Sequence, residues 1–181
     1  MLQDFFVVTK RLLLLLLIIP LLSSQPAPAE GDLSEPKIEV EAKQFDSRAQ
    51  MLSSYLSKYN SPLQYQAQHF VDAADENNLD WKLVASIAGV ESTFGKFIPG
   101  GYNAWGWGVY GTNAIYFNSW KDGIYTVSRG LRQNYFNRGL TTPDSINRVY
   151  AASPTWGTKV SYFLTDMEEF EKEYKVDLAQ K

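Results

Sequence analysis

Glu91 is the side chain whose type and spacing say most about chemistry in this sequence. A helix is expected from Trp81 to Phe94. At about 100° per residue, its Leu83, Val84, Ile87, Val90 and Phe94 form one apolar stripe, and Glu91 falls inside that stripe. An ionised carboxylate in apolar surroundings is costly unless it is paired. Low dielectric favours the neutral acid and raises its pKa. A carboxylic acid still protonated near neutral pH is suited to protonating a leaving oxygen, as glycoside cleavage requires. The alternative is that Glu91, near the helix end, reaches solvent or pairs with Lys96 or Arg129.

Elimination points the same way. The 181 residues include no cysteine and a single histidine, His69, so cysteine nucleophiles and zinc sites built from several His or Cys ligands are excluded. A Ser-His-Asp triad would have to use His69, which sits beside Phe70 and Val71 and reads as structural. Carboxylate chemistry remains, and no cofactor or metal is called for. A net charge of −3 gives no general attraction to nucleic acid. The basic excess over residues 121–148 could favour an anionic cell wall, or be a solvated face.

The elements that would position Glu91 are helical. Apolar residues recur at helical spacing from Phe45 to Tyr59 and from Leu63 to Ala74, with Asn60-Ser61-Pro62 and Asn77-Asn78 as breaks. Asp80 is placed to cap the third helix. Further helical spacing runs from Trp120 to Tyr135. It recurs from Pro143 to Tyr150, capped by Asp144 or Thr142, and from Val160 to Tyr174. Between the third and fourth helices, residues 95–119 hold six of the 12 glycines and many aromatics, so periodicity fails there and a functional loop is expected. A short hairpin near Gly108 to Thr112 fits this segment. The expectation is an all-α domain of about six helices with one Gly/aromatic-rich active-site loop. That loop offers Tyr102, Trp105, Trp107 and Tyr110 as faces for sugar C–H groups, or as a second core cluster.

The N-terminus reads differently. Lys10 and Arg11 precede the apolar run Leu12 to Leu22, and Ser23 to Ala29 is rich in small residues, the pattern of a signal peptide over 1–29. The run is short for a membrane span, although an uncleaved anchor is the alternative. Residues 30–44, rich in Glu, Pro and Lys, read as a disordered linker to a domain over 45–178. A secreted or cell-envelope location follows, with membrane contact only through the N-terminal segment.

Four segments carry a family resemblance. Glu91-Ser92-Thr93-Phe94-Gly95 resembles the Glu-Ser-x-x-Gly signature shared by lytic transglycosylases and bacterial cell-wall glucosaminidases. Asn103-Ala104-Trp105-Gly106-Trp107 resembles the glucosaminidases' Asn-x-Phe-Gly-Ile segment. Phe117 to Ile124 resembles their aromatic-x-Ser-Trp-x-x-x-Ile segment. Tyr150 to Val160 resembles their Tyr-Ala-Thr-Asp-Pro-x-Tyr-Ala-x-Lys stretch. The resemblance to this group, which includes mannosyl-glycoprotein endo-β-N-acetylglucosaminidase-like enzymes, implies a lysozyme-like helical domain. It implies cleavage of β-1,4 bonds in peptidoglycan, with Glu91 as general acid and Tyr150 as the active-site tyrosine. Ser92, Tyr102, Asn103, Trp105, Trp107 and Trp156 are the expected substrate-binding residues, and the chain is expected to work as a monomer on peptidoglycan glycan strands.

The departures are specific. The second acidic residue that glucosaminidases often carry has no counterpart between Gly108 and Asn118. Asp122 and Asp144 are substitutes in type, although Asp122 reads as solvent-facing in a first turn and Asp144 as a cap. A single acid fits a lytic transglycosylase, or hydrolysis assisted by the substrate's N-acetyl group. The Gly-Leu-Met-Gln segment common in transglycosylases is missing. Two other expectations stand beside these: a non-catalytic peptidoglycan-binding module, and an envelope protein anchored by Leu12 to Leu22.

Overall fold

The computed structural model describes residues 46–109 and 115–180, all within one compact unit, Ala42–Lys181. The expected signal peptide and linker lie outside the described residues, as do Tyr110 and most of the expected hairpin. The domain is all-α. Among the described residues six α-helices follow in order: α1 Ser47–Ser57, α2 Ala67–Glu76, α3 Leu83–Ser92, α4 Trp120–Asn134, α5 Pro143–Tyr150 and α6 Trp156–Ala179. Two 3-10 turns, Pro62–Gln66 and Phe136–Arg138, join them. Among the described residues there is no strand, and no helix is long and apolar enough to cross a membrane.

Local sequence explains the boundaries. Asp46 caps α1 by accepting from the Arg48 N–H at 2.8 Å. The Arg48 guanidinium also reaches Asp75 at 2.8 Å, tying the start of α1 to the end of α2 and holding both carboxyl groups below their ordinary pKa. α1 ends where Asn60 turns left-handed (φ 50°), a conformation Asn tolerates better than most residues. Asn78 (φ 48°) does the same after α2. Asp80 accepts from the Lys82 N–H at 2.8 Å in the turn that opens α3. Thr142, not Asp144, caps α5, in a reciprocal pair with Ser145.

α3 is the hub. It packs chiefly against α6 and touches α4, while α5 packs on the start of α6 and α2 on α4. Every residue from Leu83 to Gly89 is buried. The one-sided stripe expected from the sequence is therefore corrected: this helix is buried all round. Ala85, Ser86, Ala88 and Gly89 supply a small-residue face that lets neighbours approach closely. A Cβ at Gly89 would stand 2.7 Å from the Phe94 ring and 3.0 Å from Phe163. Glu91 is the residue at which α3 emerges from this jacket into solvent.

Candidate active site

The last turn of α3 sets the position of Glu91. Ser92 is buried, and its hydroxyl accepts from the Gly95 N–H at 2.8 Å. The same oxygen lies 2.8 Å from the Ala104 carbonyl and 3.0 Å from that of Ala88, to which it can donate. It stitches the helix end to the aromatic loop. Thr93 (φ 52°), Phe94 (φ 58°) and Gly95 (φ 80°) then turn left-handed in succession. This costs about 1–2 kcal/mol for each non-glycine residue. The Phe94 ring, fully buried against Tyr55, Tyr59 and Phe163, holds the turn in place. Strain of this kind persists only where the surroundings over-determine it.

The loop is folded around Asn103. Its Oδ1 accepts from the backbone N–H groups of Trp105 (3.3 Å) and Trp107 (3.0 Å), and its Nδ2 donates to the carbonyls of Trp107 and Ile115, both at 2.9 Å. All the hydrogen-bonding capacity of this buried amide is spent on the loop itself. Trp105 is fully buried, and its indole N–H donates to the Val84 carbonyl on α3 at 2.9 Å. Ser92, Asn103 and Trp105, expected to bind substrate, are thus placed inside the loop's own bonding. All three are enclosed by their own partners and act by shaping the loop.

Three aromatic side chains form the wall beside Glu91. Tyr150 stacks on Trp156 with ring centres 4.6 Å apart and 24° between planes, and it lies tilted against Trp107 at 5.9 Å. Its hydroxyl donates to the Trp105 carbonyl at 2.6 Å. Burial, with the neighbouring Glu91, pushes this phenol well above its ordinary pKa, so it acts as a neutral hydrogen-bonding group. Trp156, expected to bind substrate, is buried. Its indole N–H instead donates to Glu91 Oε1 at 2.7 Å. On the other side, a Cβ at Gly106 (φ 59°) would stand 3.1 Å from Glu91 Oε2. Glycine both permits the backbone angle and keeps the acid's flank open. Tyr102 is half-exposed, its ring edge-on to Trp120 at 5.1 Å.

The partner of Glu91 is therefore an indole, and among the described residues no ion pair involves it, with Lys96, Arg129 or any other base. Burial of the carboxyl's inner side raises its pKa, and the Trp156 N–H offsets part of that rise. The residue as a whole is nonetheless exposed to solvent, as the sequence alternative allowed, so the desolvation acts on the carboxyl end beside Trp156 and Gly106. The negative end of the α3 dipole lies at the same place and also favours the neutral acid. The sign for Trp156→Phe follows. Losing the donor destabilises the anion, so the Glu91 pKa climbs further and its carboxyl NMR titration midpoint moves to higher pH. A midpoint that stays put or moves to lower pH contradicts this coupling.

A groove of about 330 Å³ runs from Gly106 and Tyr150 along Trp107, Val109, Ile115, Asn134, Tyr135 and Val149. Val109, Ile115 and Val149 are exposed apolar lips, and Trp107 and Tyr135 form the inner wall. Sequence reasoning missed Asn134, Tyr135 and Val149. They end helices α4 and α5, and only the tertiary arrangement brings those ends to the loop. Trp107 rests on Gly130 of α4, where a Cβ would stand 2.2 Å from its ring. An alanine in a helix gains up to about 1 kcal/mol over glycine, but overpacking costs about 1–3 kcal/mol. Gly130→Ala should therefore lose stability in urea unfolding and displace Trp107. Stabilisation would mean that the ring yields freely.

Asp122 lies in the first turn of α4, accepting from the Asn118 N–H at 3.0 Å, and Asp144 lies in the first turn of α5 against Gly157. Neither bonds to Glu91. His69 packs edge-on to Tyr125 where α2 meets α4, 6.2 Å between ring centres. Among the described residues, no three His, Cys, Asp or Glu side chains converge as a metal site would need. No protein-family model and no curated protein matches the chain. The arrangement places one carboxyl group, held by an indole, against Gly106 at the edge of an aromatic-walled groove whose described lining does not include it.

Proposed function

We infer that the domain is a peptidoglycan glycosidase of the N-acetylglucosaminidase type, cleaving β-1,4 bonds between N-acetylglucosamine and N-acetylmuramic acid with Glu91 as general acid. The observation that carries this reading is the Glu91 carboxyl, raised in pKa and fixed by the Trp156 N–H where Gly106 opens the groove. A strand lying in the groove would rest sugar C–H faces on Trp107 and Tyr135. Glu91 gives its proton to the glycosidic oxygen as the C–O bond breaks, and the leaving sugar departs as an alcohol. The Glu91 carboxylate then takes a proton from the group that attacks the oxocarbenium-like carbon, which restores the acid. The expected signal peptide suits an enzyme acting outside the cytoplasm on such strands.

One feature favours a second reading, a lytic transglycosylase. Burial and the Trp156 indole account for the shift at Glu91, with no neighbouring carboxylate contributing. Residues 110–114 add no acid either. With no second carboxylate to position water, the sugar's own hydroxyl can attack and close a 1,6-anhydro ring. Mass spectrometry of digested peptidoglycan separates the two, because anhydro products are lighter by one water. Strands left intact by the full chain, while still bound by it, would instead indicate a non-catalytic binding module.

A further inference from the structure

A second cavity lies elsewhere. It measures about 430 Å³, lies between α1, the 62–66 turn, the start of α2 and α6, and shares no lining residue with the groove at Glu91. Its size is that of small-ligand sites, roughly 300–1,000 Å³. Its described lining includes Tyr65, Tyr174, Gln64, Gln68, Ser53 and Ser54, and no charged side chain. We propose that this cavity is a second saccharide site, which holds an uncharged, hydroxyl-rich segment of glycan away from the groove at Glu91.

Three observations carry the proposal. First, Tyr65 is 83% exposed, more than any other large apolar or aromatic side chain among the described residues. A ring so open at the rim of a cavity of mixed polar and apolar lining offers a face for sugar C–H groups. Second, the two amides are oriented by their partners. Gln68 Nε2 donates to Asp72 at 2.8 Å, and Gln64 Nε2 donates to the Ser61 carbonyl at 2.9 Å. Both partners are acceptors, so the nitrogens must face them, and each amide is left to offer Oε1 to a ligand. A pair of fixed acceptors selects a ligand that donates, as hydroxyl groups do. Third, among the described residues the lining gives neither a cation to hold an anionic ligand nor a carboxylate to hold an amine. A neutral polyol meets all three conditions. A second foothold on the same long polymer would raise the effective concentration of strand at the groove without any new contact there.

The test is a titration of the full chain carrying Glu91→Gln with chitotetraose, a β-1,4-linked N-acetylglucosamine tetramer, followed by NMR. The side-chain amide signals of Gln64 and Gln68 should shift and saturate. Tyr65→Ala should weaken that saturation by about tenfold, the worth of one aromatic contact, and Tyr65→Phe should restore it. Gln68→Leu should weaken it as well, with the fold unchanged. Amide signals that stay fixed at every ligand concentration, or an affinity unaltered by Tyr65→Ala, would overturn the proposal. The groove reports separately through the backbone signals of Gly106 and Gly108. Shifts confined to those glycines would sink the second site and leave the groove standing. Shifts confined to Gln64 and Gln68 would do the reverse.

Discussion

Glu91→Gln should lower turnover on peptidoglycan by about 10²–10⁴-fold, the usual contribution of a positioned general acid, with little change in KM. Glutamine keeps the shape and can still accept from the Trp156 N–H, so the 2.7 Å bond that orients the side chain should survive. What is lost is the proton. The same variant has a stability signature that an ion-paired glutamate would not show. The folded state raises the pKa of Glu91, so folding works against its ionised form. That penalty is absent below the ordinary glutamate pKa. It grows as pH rises towards the raised folded value and is constant above it. Glu91→Gln should therefore melt at the same temperature as the parent in acid, and at an equal or higher temperature near neutrality. The penalty is small because Glu91 is exposed to solvent. A variant that unfolds more readily at neutral pH would mean that the carboxylate anion stabilises the native state. Full turnover would remove Glu91 from the chemistry.

Trp105→Ala should produce the largest loss of stability, about 3–5 kcal/mol for a buried tryptophan. That is a large share of the roughly 5–15 kcal/mol that holds a domain folded. The ring is fully buried between Phe70 and Phe117, its N–H bonds Val84 on α3, and its own carbonyl accepts from the Tyr150 hydroxyl. Removing it opens a cavity beneath the groove wall and loosens the backbone on which Tyr150 rests. Urea unfolding measures the loss. Trp105→Phe separates structure from binding: it should cost stability through the lost indole bond, about 1 kcal/mol, and leave KM close to that of the parent. A KM raised many-fold at unchanged stability would place the ring on the substrate after all.

Much of the helical frame could be read from the sequence because it depends on local signals. Asn60 and Asn78 stop helices and the spacing of Trp120, Ile124, Val127 and Leu131 defines α4, as expected. The two ends of α3 were overextended, since Trp81 lies in a turn and Thr93 is already left-handed. The stripe on α3 misled for a different reason. Counting large apolar residues ignores Ala85, Ser86, Ala88 and Gly89, which bury a face as effectively as leucines when neighbours pack close. Glu91 was therefore singled out on a mistaken premise. Its raised pKa comes from the protein around its carboxyl at the end of α3, not from a place within a stripe.

The site's wiring was beyond local signals. The Trp156–Glu91 bond spans 65 residues of sequence, and the Tyr150–Trp105 bond spans 45. The types were present, but nothing local says that Trp156 should face an acid and not a sugar. The Asn103 amide likewise looks like a ligand-binding group until its bonds to Trp107 and Ile115 show that it is fully engaged.

All of this rests on Glu91 keeping its proton at a pH where ordinary glutamates have lost theirs. Carboxyl ¹³C NMR of the full chain, titrated in pH, measures that directly. The account predicts a Glu91 midpoint above the ordinary value of about 4.3, moving higher in Trp156→Phe. A midpoint at or below that value would contradict it.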